Sequence, residues 1–124
     1  MASRDIINRE IFADFLDIYD DQHHRKISQE LVFLYFEEAA SRMDEIERGL
    51  SVGDFAPSAE AARSLGDGAR PFGLVKVVAL CGALQNCLRS ASPRREQAQV
   101  CFAELRSAQS EVEACLRHWY GAKS

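Results

Sequence analysis

The stretch SQELVFLYFEEAASRMDEIERGLSV, residues 28–52, decides the fold class. Val32, Phe36, Ala39, Met43, Ile46 and Leu50 recur in it at steps of 4, 3, 4, 3 and 4, which places them on one stripe of an α-helix. Ser28 is read as the N-cap, and Gly53 follows as a stop. A second stripe with the same steps runs through Cys101, Leu105, Ala108, Val112, Cys115 and Trp119, after Ser92 as N-cap and Pro93 at the first helical position. Two long helices with narrow apolar seams need partners, and the intervening sequence supplies them.

Residues 54–57, Asp-Phe-Ala-Pro, read as a loop, and Ser58 reads as the cap of a third helix through Ala61, Ala62 and Leu65, broken by Pro71 and Gly73. A fourth helix over about 74–90 carries Leu74, Val77, Val78, Cys81, Leu84 and Leu88 on a broad apolar face. A short helix over about 8–19 precedes them all, with Ile11, Phe12, Phe15, Leu16 and Ile18 beside Asp14 and Asp17. No β-rich alternation or hairpin dipeptide between strands interrupts the helical pattern. The sequence thus predicts an all-α, antiparallel up-down four-helix bundle over residues 1–124, a single domain, with the short N-terminal helix covering one end of its core.

Composition narrows function. At 124 residues with 47% apolar and 27% charged side chains, the chain is long enough to bury a core without disulfides or metals. The opening MASRDIINRE lacks the apolar core of a signal peptide, and no apolar run reaches the length of a membrane span, so a soluble chain of the cytoplasm, and of the nucleus as well, is expected. Residues 1–60 hold 6 Lys/Arg against 14 Asp/Glu, whereas residues 61–124 hold 9 against 5. The overall charge of −4 argues against nucleic acid, while the positive second half suits an acidic protein surface. Cys81, Cys87, Cys101 and Cys115 are too far apart in sequence for a zinc site and read as small apolar groups. Asp20, Asp21, His23 and His24 are too local for a closed metal shell, and no phosphate loop, nucleophile elbow or Cys/His pair suggests an enzyme. Neither metal nor cofactor is expected.

The third helix carries a pattern with a family behind it. Arg63-Ser64-Leu65-Gly66-Asp67-Gly68-Ala69-Arg70-Pro71-Phe72-Gly73 resembles the His-x-Leu-Lys-Gly-Ser-Ser-x-x-x-Gly motif of histidine-containing phosphotransfer (HPt) domains, matching at Leu65 and Gly73. Ile6-Ile7-Asn8 with Ile11, the helix of Phe36, Met43 and Leu50, and the closing Phe102, Leu105, Val112, Leu116 and Trp119-Tyr120 extend the resemblance over nearly the whole chain, closest to the fungal phosphorelay proteins. Such domains are four-helix bundles that pass a phosphoryl group between receiver-domain aspartates.

The departures lie at the chemistry. Arg63 stands where the family has its phosphoryl acceptor, Gly66 where it has an assisting lysine, and Asp67 where it has a small glycine facing the receiver. A neutral imidazole nitrogen is a nucleophile; a guanidinium has no free lone pair. The resemblance therefore implies a pseudo-phosphotransfer module that binds receiver domains of response regulators or hybrid kinases as a monomer, without catalysis, and competes with active relatives. Partner contacts are expected from Arg63, Gly66, Asp67, Gly68 and Arg70 on the third helix. By the family's docking mode they are also expected from Ile11, Phe15, Ile18, Ile27 and Leu31. Arg63, Asp67 and Arg70 share a helix face, where Asp67 can pair with either arginine and weakens the attraction for an acidic pocket. Two other readings stay open: a helical adaptor with unrelated partners, motivated by Gly66, Gly68 and Pro71, and a histidine-replaced copy of an active transfer protein.

Overall fold

The computed structural model describes residues 6–20 and 26–123, with side chains as far as Gly121. Among them are five α-helices: α1 (Arg9–Tyr19), α2 (Lys26–Val52), α3 (Phe55–Ala69), α4 (Val75–Arg89) and α5 (Arg95–Lys123), with a 3-10 turn at Arg70–Phe72 between α3 and α4. Side-chain contacts fix their directions. Ser58 meets Ile46 while Gly68 lies beside Tyr35, so α2 and α3 run antiparallel. Cys101 reaches Leu80 and Cys87 reaches Arg94, so α4 and α5 do too. Tyr35 with Gln109 and Tyr120 with Ser28 close the ring between α2 and α5. This is the up-down bundle expected, with Val32, Ile46, Ala62, Leu65, Val77, Leu84, Leu105 and Val112 buried at its centre.

Helix ends depart from the expected caps, each for a local reason. Ser28 lies in the first turn of α2, fully buried. Its cap comes from outside: the Asp20 carboxylate accepts from the Ser28 amide at 3.0 Å and from its hydroxyl, bringing a negative charge to the positive end of the helix. The Ser28 hydroxyl in turn accepts from Tyr120 at 2.8 Å. Ser58 is likewise not a cap, since α3 starts at Phe55 with Asp54 before it. Pro57 sits in that first turn, where its missing N–H breaks no helical bond, so the expected loop at 54–57 is mostly helix. The buried Ser58 hydroxyl donates to the Ile46 carbonyl at 2.9 Å. The last long helix opens two residues after Pro93, where the Arg94 carbonyl accepts the Ala98 amide.

The seam of α5 is also displaced. Leu105, Ala108 and Val112 are buried as expected, but toward the two ends Phe102, Leu116 and Tyr120 turn inward while Cys101, Cys115 and Trp119 are only half-buried. At roughly 100° per residue Cys101 and Trp119 share one bearing on the helix and Phe102 and Tyr120 another, so the inward face of α5 is turned as a whole toward Ala98, Phe102, Gln109 and Tyr120.

The short helix α1 is pinned by Gly73. Asn8 caps α1, its side chain accepting from the Ile11 amide at 3.1 Å, and the Asn8 amide donates to the Gly73 carbonyl at 2.7 Å. Phe12 and Phe15 are buried, Phe15 edge-on to Phe72 at 4.7 Å and Phe12 edge-on to Trp119 at 5.6 Å. α1 thereby covers the bundle end formed by the α3–α4 turn and the end of α5. Asp21, His23 and His24 fall outside the described residues. No described helix is long and apolar enough to cross a membrane.

Candidate functional site

Arg63 projects from the middle of α3, on the side away from the core residues Ala62, Leu65 and Ala69. Its guanidinium does not extend outward. Nε donates to Glu60 Oε2 at 2.6 Å, Nη2 meets the same oxygen, and Nη1 donates to Asp67 Oδ2 at 3.0 Å. Glu60 is one turn before Arg63 and Asp67 one turn after, the spacing at which helical side chains meet. Exposed carboxylates hold the cation lengthwise along the helix. The hydrogen bond from Arg63 holds the Glu60 carboxyl below its usual range, helped by Arg63's charge and by Arg89 at the end of α4. The same bond, with the charges of Glu60 and Asp67, raises the affinity of the guanidinium for its proton. It is a firmer cation than a free arginine, and it has no lone pair with which to take a phosphoryl group.

Glu60 was not singled out by the sequence reading, although its position three residues before Arg63 is a legible signal. Asp67 pairs with Arg63; among the described residues no ion pair joins it to Arg70, which has left the α-helix and begins the 3-10 turn.

Two expected contact residues are not on the surface. Gly66 is buried against α4: a Cβ added there would stand 3.1 Å from the Cys81 Cβ. It serves helix packing and cannot meet a partner. Phe15 is buried among Phe12, Tyr19 and Phe72. The remaining apolar candidates are accessible to different degrees. Ile11, Ile18 and Ile27 are 38%, 72% and 47% exposed, whereas Leu31 is half-buried against the core. Because Asp20 at the end of α1 caps α2, Ile18 and Ile27 flank one junction. Leu34, three residues past Leu31 and 51% exposed, and Tyr19, 44% exposed, add to the apolar surface there and were missed.

Gly68 is exposed, and a Cβ on it would make only ordinary contact with the Tyr35 ring at 3.8 Å. Tyr35 ties this level of the bundle together. Its ring packs on Phe72 at 5.4 Å, and its hydroxyl donates to Gln109 Oε1 at 2.7 Å. The short-helix end and the C-terminal end of α3 are therefore continuous through Phe15, Phe72 and Tyr35.

Among the described residues, the other reactive groups lie apart from Arg63. All four cysteines are free, and burial pushes the Cys81 thiol up to about 12. His118 lines a groove between α1 and α5 with Phe12, Leu16 and Trp119, on a different helix from Arg63. Among the described residues, no three His, Cys, Asp or Glu side chains converge to hold a metal ion.

A family model for the Hpt domain matches residues 30–117, a span from the first turns of α2 to near the end of α5 that includes all of α3. Comparison with curated proteins returns no match.

Proposed function

This chain belongs to the Hpt domain family, the phosphorelay proteins of two-component signalling, and within it we propose a member that docks on receiver domains without exchanging phosphate. The observation that carries this reading is Arg63. At the acceptor position of the motif stands an exposed guanidinium, fixed between Glu60 and Asp67 and unable to act as a nucleophile. The bundle around it is intact. An intact bundle with an inert acceptor position suits a module that occupies the receivers used by active relatives and so competes with them.

The docking face proposed runs from Arg63, Asp67, Gly68 and Arg70 on and just after α3 to Ile11, Ile18, Ile27 and Leu31 at the covered end. Ile18 and Ile27, 72% and 47% exposed at the α1–α2 junction, and Ile11, 38% exposed beside Gly73, supply hydrophobic contact there. The adaptor reading loses part of its motivation, because Gly66 is accounted for by its contact with Cys81 rather than by a relaxed helix. Pro71 is accounted for as well, at the start of the 3-10 turn that ends α3, and Gly68 is left to favour it, as an exposed helix-interior glycine that no neighbour demands.

The test is direct. Purified protein is mixed with a panel of phosphorylated receiver domains, label on the protein is followed, and binding to the same panel is measured for the wild type and Arg63→Ala. Binding to at least one receiver without stable label on the protein is expected. Transfer of label, or no binding to any receiver, overturns the reading.

A further inference from the structure

We infer that Glu60 and Asp67 are specificity-determining residues which withhold the Arg63 cation from an acidic partner pocket, an inference that rests on the receiver-docking reading above. A guanidinium has five N–H donors, and recognition of a carboxylate or phosphoryl group uses a pair of them along one edge. In this chain the Nε/Nη2 edge is already engaged by Glu60 Oε2, with Nε at 2.6 Å, and Nη1 is engaged by Asp67 Oδ2 at 3.0 Å. Three of the five donors are thereby engaged, so a partner's carboxylate must either displace Glu60 or make do with the donors left at the Nη1/Nη2 end, and in both cases it does so beside two negative charges.

The wider surroundings do not cancel this arrangement. Arg89 acts on Glu60 from the end of α4, and Arg70 lies in the turn after Asp67. Among the described residues, neither forms an ion pair with the Glu60–Arg63–Asp67 array. The array itself is one cation between two anions. A receiver pocket that presents several carboxylates is thus met by an over-compensated arginine, and affinity must come from the apolar contacts of the α1–α2 end. A partner surface that brings its own cation opposite Asp67 and Glu60 is favoured over one with an uncompensated acidic pocket. The fold does not need this array, because all three side chains are about half exposed and none supports the core.

The double variant Glu60→Gln/Asp67→Asn removes both negative charges while keeping side-chain shape. Affinity for a panel of receiver domains is measured for it and for the wild type, at low and at moderate salt, with thermal melting as the check on folding. The variant is expected to bind acidic-pocket receivers about tenfold more tightly at low salt, and its affinity is expected to fall more steeply as salt is added. Affinity within about twofold of wild type, or weaker, with wild-type binding present, overturns the inference while leaving receiver docking in place. Binding by neither protein removes the receiver reading and this inference with it.

Discussion

Gly73 lies so close to Ile11 that no side chain fits between them: a Cβ at residue 73 would stand 2.9 Å from the Ile11 Cβ and 2.8 Å from the Asn8 carbonyl oxygen. Gly73 also holds a left-handed conformation, φ 73°, and its carbonyl accepts the Asn8 amide. Strain and clash coincide, so Gly73→Ala is expected to cost roughly 2–3 kcal/mol and to loosen α1 first. The lone tryptophan, Trp119, reports on this directly, because Phe12 of α1 packs edge-on against it. Denaturant unfolding with tryptophan emission should show a lower midpoint and an altered native signal. An unchanged midpoint would mean that α1 is not anchored here.

The neighbouring glycines of α3 should respond in opposite ways. Gly68 has room for a methyl group and helical backbone, so Gly68→Ala is expected to stabilise by about 0.5–1 kcal/mol. Gly66→Ala presses on Cys81 at 3.1 Å between two packed helices, and the strain there offsets or exceeds the same propensity gain. Thermal unfolding of the two single variants distinguishes them. If both stabilise equally, α3 and α4 are less tightly apposed than the structure has them.

A buried polar pair links α2 to α5. Tyr35 donates to Gln109 Oε1 at 2.7 Å, and Gln109 Nε2 donates onward to Glu113 at 3.2 Å. Tyr35→Phe leaves the amide oxygen of a buried glutamine without that donor, and is expected to cost roughly 1–3 kcal/mol. Adding Gln109→Leu should cost less than the sum of the two single changes, since removing both partners removes the unsatisfied group. Urea unfolding of the four-member cycle measures the coupling, and strict additivity would show that the bond contributes nothing.

The helices and the seams of α2 and α4 were legible because burial repeats with the helical period over many residues. Caps were not. Ser28 and Ser58 have the residue type of an N-cap, but both are buried within the first turn of their helices, where their hydroxyls serve Asp20 and Ile46 instead. A cap supplied from eight residues away, as Asp20 does for Ser28, leaves no local pattern to read. At the candidate site, the motif located Arg63 and Asp67 correctly on one exposed face, and the pairing of Arg63 with Asp67 follows from their spacing. Glu60 is equally readable from its spacing, three residues before Arg63, but it lies outside the motif, which begins at residue 63. The burial of Gly66 and Phe15 was not readable. It depends on Cys81 and Phe72, which the α3–α4 turn brings into place.

Stability should decline in alkali. Burial, with a contribution from Cys101, raises the Cys81 thiol from its ordinary 9.0 up to about 12, and burial also raises the hydroxyls of Tyr35 and Tyr120. Each of these groups holds its proton more tightly folded than unfolded. Their contribution is complete below the unfolded values, and it is lost as pH rises from about 9 towards about 12, where the unfolded chain releases protons first. Unfolding free energy should fall by about 1 kcal/mol or more between about pH 8 and about pH 10.5, and by less in Cys81→Ala. A flat profile over that range would contradict the burial of these groups.

Restoring the acceptor should not restore the chemistry. In Arg63→His an imidazole would stand beside Asp67 and Glu60, whose carboxylates repel an incoming phosphoryl group. The family's assisting lysine has no place to enter, because position 66 faces α4 and a Cβ there already presses on Cys81. Transfer of a phosphoryl group relies on cations positioned around the charge that moves, and this face has lost one and gained an anion. Arg63→His is therefore expected to take up less than about a tenth of the label offered by a phosphorylated receiver, and Arg63→His/Asp67→Gly measurably more, because the second change removes the nearest repulsive charge. Labelling time courses of the two variants against one receiver check both statements. Efficient labelling of Arg63→His alone would show that the site is chemically complete apart from its nucleophile, and would make the replacement of that single residue the whole difference between this chain and an active member of its family.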